Sequence, residues 1–242
     1  MSIDQFNMKI RGLPVEVVRK SIKNLHVGVY PPAGRVRVAA PEAMSKDAVR
    51  LAVINKLSWI KKQRAKFKGQ PRQSTRRMVT GETHFFLGQR YRLRVVEQDQ
   101  PSKVSLLNSS TMELVVRCGS TSQQREKAIQ EWQRAQLKEV AKPLIAKCEK
   151  VVGVSVKDWR IKRMKTKWGS CNSEAGRIWL NLELAKKPIE CIEYVITHEL
   201  NHFLERNHND RFVANMDRFL PKWKLIRDRL NAAPLAHEHW GD

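Results

Sequence analysis

The sequence predicts an α+β fold, and three features point to it. Short β-like runs separated by turn residues fill the first 120 residues, around one helical stretch. A long helical pattern follows, and then a β-hairpin pattern leads into an amphipathic helix carrying His198-Glu199-Leu200-Asn201-His202. The expected organisation is a β-rich region with one helix over 1–120 and a second region over 121–242.

In chain order, Met8, Ile10 and Leu13 begin the β-rich part. Residues 15–19, 25–30 and 35–38 are strand candidates, the last with clean alternation. Pro31-Pro32-Ala33-Gly34 is the turn between the last two. Ser45 is placed to cap one helix over 46–67, with Val49, Ala52, Val53, Leu57 and Ile60 toward a core. Its end is basic (Lys61, Lys62, Arg64, Lys66, Lys68), as is the irregular connector over 69–80 with Arg72, Arg76 and Arg77. Residues 84–87 and 90–95 form a hairpin around Gly88-Gln89. There Tyr91, Leu93 and Val95 alternate with Arg90, Arg92 and Arg94, which predicts a half-buried pair with a basic outer face. Residues 104–107 and 112–116 extend that sheet.

Thr121 and Gln124 have the spacing of a capping box at the head of a helix over 122–152. Ile129, Trp132, Leu137, Val140, Leu144 and Ile145 form its apolar stripe, and Pro143 is expected to kink or split it. Beyond Gly153, Val154, Val156, residues 159–161 and residues 165–171 read as β. The turn over 172–176 leads into residues 177–182, a hairpin expected to feed directly into the helix over 188–204. In that helix Ile189, Ile192, Val195, Ile196, Leu200 and Phe203 recur at helical steps, and Pro188 suits the first turn. No internal repeat stands out.

On a helix, His198 and His202 leave one face about a turn apart, close enough to reach one metal ion. Glu199 follows the first histidine, so its carboxylate approaches a water on that ion rather than the ion itself. Catalytic zinc sites take three protein ligands plus water. His208 supplies the third if the helix ends near Asn207, which tolerates the left-handed conformation, and Asn209 or Asp210 caps a new helix. Glu205 competes for that place but lies three residues after His202, still on the helix. Cys171 is weighed as a soft ligand against a small buried thiol, and Trp168 as core against a substrate platform. His237 and His239 read as a mobile tail. The pattern points to metal-dependent hydrolysis.

Composition sets further bounds. With 46 Lys and Arg against 24 Asp and Glu, the formal net charge is +22, which favours polyanionic company: nucleic acid, nucleotides or an acidic protein. No zinc-finger or RNP-type signature accompanies the charge, so nucleic-acid binding is expected to be weak, salt-sensitive and nonspecific. No run of about 18 apolar residues exists, so no membrane span is expected. The polar start over 1–7 lacks a secretory hydrophobic region. Cys118, Cys148, Cys171 and Cys191 form no close pair and read as reduced thiols in a cytoplasmic protein.

Several motifs coincide in the second half. They are Lys167-Trp168-Gly169-Ser170-Cys171, Ile178-Trp179-Leu180-Asn181, Pro188, and Tyr194-Val195-Ile196-Thr197-His198-Glu199-Leu200-Asn201-His202 with His208 and Phe212 after it. Together they resemble the YgjP-like family of zinc metallopeptidases, specifically over 160–225 and more weakly elsewhere. The resemblance implies a zincin-like C-terminal half, Zn2+ held by His198, His202 and His208, Glu199 as catalytic carboxylate, and a peptide substrate. It also brings, as the alternative to this first reading, a nucleoside triphosphate pyrophosphohydrolase acting on UTP. A nucleic-acid-binding protein with a non-catalytic zinc site is the third reading. Lys167, Trp168 and Ser170 are the candidate substrate-binding residues, on a strand that could take an extended peptide by strand addition. The family usually has Arg where Lys167 stands and a small residue where Asn201 stands. Lys167 keeps the charge without the bidentate fork, and Asn201 is expected to tune the surroundings of the metal.

Overall fold

The computed structural model describes residues 5–30, 34–69, 76–164 and 167–232. The expected turn at 31–33, residues 70–75 of the connector, Lys165, Thr166, the first four residues, His237 and His239 lie outside the described residues. Side chains of residues 66–69, among them Lys66 and Lys68, also lie outside the description. The chain separates into two compact units, one built on Met1–Ser74 and one on Thr75–Leu235. Residue 120, where the division was expected, falls within the second unit.

In the first unit, β1 (Gln5–Ile10) and β2 (Leu13–Lys20) form an antiparallel hairpin across Arg11 and Gly12, at φ 46° and 81°. Two-residue hairpin turns of this hand need both central residues at positive φ. β3 (His26–Tyr30) lies antiparallel to β4 (Arg35–Pro41), and β4 runs parallel to β2, giving the order β1-β2-β4-β3. Val15, Val17, Val36 and Val38 point inward at alternate positions, and Val49, Val53 and Ile60 close the core from the helices. Two helices, α1 (Lys46–Asn55) and α2 (Leu57–Gly69), stand where one was expected. The N–H of Lys56 turns back to the carbonyls of Val53 and Ile54, a tightened turn that ends α1. Ser45 caps α1 as expected, its Oγ accepting from the Ala48 N–H at 3.2 Å.

The second unit starts with a sheet of the same order, β5-β6-β8-β7. β5 (Thr83–Phe86) and β6 (Gln89–Glu97) turn through Leu87 and Gly88, at φ 47° and 82°. β7 (Lys103–Leu106) is antiparallel to β8 (Thr111–Val116), which runs parallel to β6. Tyr91 and Leu93 are buried while Arg90, Arg92 and Arg94 are exposed, the basic outer face that the alternation predicts.

α3 (Ser122–Val152) opens with the expected capping box. Ile129 and Trp132 complete the core of the second sheet, and Leu137, Ala141, Ile145, Cys148 and Val152 enter the next one. One long helix is therefore the common wall of two cores. Pro143 does not split it. Pro143 and Glu139 are both exposed, so the carbonyl that loses its intrahelical partner can be hydrated.

A third sheet combines β9 (Asp158–Lys162), β10 (Gly169–Asn172) and β11 (Arg177–Asn181) in the order β10-β11-β9, leaving β10 at an edge. Val154 and Val156 are not in a strand; the Val156 N–H donates to the Glu149 carboxylate at 2.7 Å instead. A 3-10 turn, Leu182–Lys186, stands between β11 and α4 (Ile189–Asn201), so the hairpin does not feed the helix directly. α5 (Asp210–Phe219) and α6 (Trp223–Ala232) complete the unit. Ile178, Leu180, Leu182, Ile192, Ile196 and Leu200 are among its fully buried side chains. Among the described residues no helix is long and apolar enough to cross a membrane.

Candidate active site

α4 buries one face on α3 and the third sheet, which fixes the direction of His198 and Glu199. The helix ends at Asn201, earlier than expected, with His202 as its C-cap. Tight bonds from the Phe203 and Leu204 N–H groups to the carbonyls of Leu200 and Asn201 close its last turn. Asn207 is not at positive φ, so no left-handed residue performs the reversal. Glu205 thus lies off the helix, and its side chain is not part of the ligand cluster. Asn209 starts α5 as expected, accepting from the Phe212 N–H at 3.0 Å.

The turn brings His208 back to the helix. Ring nitrogens of His198, His202 and His208 lie within 4.8 Å of one another. Nε2 of His198 and Nε2 of His208 are 3.0 Å apart. Nδ1 of His202 is 3.1 Å from the Glu205 carbonyl. A carbonyl only accepts, so Nδ1 carries the proton and Nε2 keeps its lone pair. Burial first, then His202 and His208, depress the His198 pKa to about 3; burial also lowers that of His202. Three imidazoles gathered in this way fit a borderline-soft cation such as zinc. The buried Phe212 ring packs with its centroid 4.7–5.0 Å from those of all three rings.

Asn201 supports this geometry from below. It is fully buried; its Nδ2 donates to the Phe212 carbonyl and its Oδ1 accepts from Asn215, both at 3.0 Å. It ties the end of α4 to α5 and so fixes the segment that carries His208.

Glu199 is 5 % exposed, and burial raises its pKa to about 8, against the opposing pull of Lys167. Its carboxylate lies over Gly169 of β10. A Cβ at Gly169 would come within 2.7 Å of Glu199 Cγ and 2.8 Å of Cδ, so only glycine leaves it room. The cleft beside it measures about 890 Å³ and takes in Lys167, Trp168 and Ser170 together with His198, His202 and His208. Trp168 is half-buried, with the Lys187 ammonium 5.2 Å from its ring, so it is both packed and cleft-lining. Burial lowers the Lys187 pKa to about 8. Cys171 borders the cleft as a neutral thiol, its pKa pushed to about 11 by burial and then by Glu199, and it is outside the ligand cluster.

Sequence reasoning gave no role to Gly169, Tyr194, Asn181, Trp179 or Arg206, the last a cation in the cleft lining. Gly169 gave no signal beyond its motif. Tyr194, which lines the cleft, sits one helical turn before His198 and was findable by spacing. Asn181 is buried and donates to the carbonyls of Met164 and Lys167 at 2.8 and 2.7 Å, holding the loop that presents Lys167. Trp179 reaches the cleft from β11.

The family model for the YgjP-like metallopeptidase domain matches residues 24–233. Among solved structures, the metallopeptidase zymogen abylysin of Pyrococcus abyssi is 22 % identical, with 37 % of this chain and 90 % of that chain covered and a TM-score of 0.35. The zymogen jannalysin of Methanocaldococcus jannaschii is 23 % identical, with 37 % and 86 % covered and a TM-score of 0.34. No curated protein matches the chain.

Proposed function

The chain belongs to the YgjP-like metallopeptidase-domain family, and on that premise we propose that it is a zinc-dependent metallopeptidase whose water is activated by Glu199. One observation carries the reading: three imidazoles converge beside a buried carboxylate in the lining of one cleft. We place the catalytic region from residue 121 onward. His198, His202 and His208 would hold the ion. When bound, zinc polarises the scissile carbonyl and makes a water acidic enough to lose its proton near neutrality.

Glu199 accepts that proton and returns it to the leaving amine. Its burial makes the ionised carboxylate a stronger base than a solvated glutamate, and Lys167 keeps the ionised form accessible. Gly169 leaves the carboxylate space to act. The free edge of β10 can pair with an extended peptide, with Trp168 and Ser170 contacting it. The four cysteines are free thiols, which supports a reducing, cytoplasmic setting.

Lys167 and Arg206 in the cleft favour a second reading, a UTP pyrophosphohydrolase with phosphates against those cations. A non-catalytic zinc site in a nucleic-acid-binding protein is the third; the basic surface would then bind polyanions through phosphates with little sequence preference. The metal-loaded protein should be assayed against a peptide library and a nucleotide panel, with Glu199→Gln as control. Peptide turnover is expected, falling roughly 100- to 10,000-fold in Glu199→Gln while about one zinc per chain is retained. Full metal retention in His198→Ala/His202→Ala would remove the site, and pyrophosphate release without peptide cleavage would install the second reading.

A further inference from the structure

The third sheet turns one face outward, and a row of side chains on it leads away from the metal. Ser170 pairs with Trp179 across β10 and β11, and Trp179 pairs with Arg160 across β11 and β9. Ser170 and Trp179 both line the cleft, so its space continues over the edge strand onto this face. Trp179 is half-buried and carries two cations on its ring, the Arg160 guanidinium at 5.8 Å and the Lys162 ammonium at 5.7 Å. Asp158 is the neighbouring carboxylate, ion-paired at 3.0 Å with Arg160 and at 2.8 Å with Arg177. Among the described residues of β9 and β11 on this face, Asp158 is the carboxylate beside three cations, Arg160, Lys162 and Arg177, and Glu174 lines the cleft beyond β10, so the strands keep a positive excess.

We propose that Trp179, Arg160 and Lys162 form a subsite for acidic side chains, so that the site takes acidic peptides. The proposal rests on the peptidase reading above and specifies its substrate class. An extended peptide paired to β10 turns every second side chain toward the outer face of the sheet. A glutamate there lays its methylenes on the Trp179 ring and its carboxylate between the two cationic heads. The ring holds those heads by cation–π contact, so less side-chain freedom is lost when the carboxylate arrives. Exposed ion pairs are individually weak, and two acting together correspond to about a tenfold preference at low salt. Salt erodes it, because Arg160 is 57 % exposed.

The test uses peptides identical except for Glu, Gln or Lys at alternate positions flanking the scissile bond. With metal-loaded protein at low salt, kcat/KM is expected to be about tenfold higher for Glu than for Gln, and lowest for Lys. In Arg160→Glu/Lys162→Glu, and in the milder Arg160→Gln/Lys162→Gln, the Glu-to-Gln ratio should collapse toward one or below. Arg90→Glu/Lys103→Glu removes the same charge from exposed positions on the second sheet and should keep the ratio. Equal rates for Glu and Gln peptides, or a ratio that survives in Arg160→Glu/Lys162→Glu, overturns the subsite. Anisotropy of labelled peptides on metal-loaded Glu199→Gln protein separates the two claims. Tight Glu-peptide binding that needs Arg160 and Lys162, with no wild-type turnover, sustains the subsite and removes the peptidase. Turnover without charge preference does the reverse.

Discussion

The sheet of β1–β4 and the sheet of β5–β8 are built alike, and the second is tied to the helix that carries His198. Each begins with a hairpin over two residues at positive φ, adds a strand parallel to the hairpin's second strand, and is followed by a helix capped by a hydroxyl. The same stretch of chain separates Gly12 from Gly88, Arg35 from Thr111, and Ser45 from Thr121. Buried Val15, Val17 and Val53 answer to buried Tyr91, Leu93 and Ile129. These identities differ enough that no repeat is visible in the sequence. The turns then part ways. Gly12 has nothing within 4 Å of an added Cβ. At the other turn the Leu87 and Gly88 N–H groups donate to the carbonyls of Ala185 and Lys186, at 2.8 and 3.3 Å. A Cβ on Gly88 would meet Pro188, the N-cap of the helix that carries His198. A turn's shape is a local matter; what it holds in place is decided by its neighbours.

The largest expected effect tests that contrast directly. Gly12→Ala and Gly88→Ala both place a Cβ at positive φ, costing about 1–2 kcal/mol. Gly88→Ala adds overpacking against Pro188, at 2.7 Å from its Cγ and 3.1 Å from its Cα. Its total should reach about 3–4 kcal/mol. Denaturant unfolding measures both, and chelator competition should show weaker zinc binding for Gly88→Ala alone. Equal losses at the two turns would erase the distinction.

A second contrast is chemical. The buried core of the first sheet is apolar, whereas the second buries His84, whose Nδ1 is 2.8 Å from Arg76 and whose Nε2 is 3.3 Å from Glu82. Burial, then Arg76, lowers the His84 pKa from 6.5 to about 4. Because the folded pKa is depressed, the protonated unfolded state gains as the medium is acidified. Stability is complete above pH 6.5 and is lost as the pH falls toward 4, by at most about 3 kcal/mol. Thermal melts of wild type and His84→Gln across that window should diverge on the acid side; parallel curves would mean that His84 does not titrate there.

The smallest effect compares the caps. Thr121 exchanges bonds with Gln124 in both directions, while Ser45 accepts from Ala48 only. Thr121→Ala should cost about 1 kcal/mol and Ser45→Ala about 0.5 kcal/mol. A reversed order in chemical denaturation would deny the box any added value.

Much of this was legible before the fold. Strand alternation marked Tyr91 and Leu93 as buried, the box marked the start of α3, and the spacing of His198 and His202 marked two imidazoles close together. These signals succeed because period, φ preference and capping act within a few residues. The differences fell where competing local terms meet: the division of the helix at Lys56 and the early end of α4.

The sequence by itself determined that His198, Glu199 and His202 share one helix end and that a new helix begins near Asn209 or Asp210. Only the tertiary structure decided that His208 returns to them, that Asn201 clasps Phe212 and Asn215, that Gly169 yields its space to Glu199, and that Trp179 reaches the cleft. Each of these is a contact between residues from different elements. It exists because close packing leaves one arrangement of the surrounding side chains, and no periodicity along the chain records that arrangement.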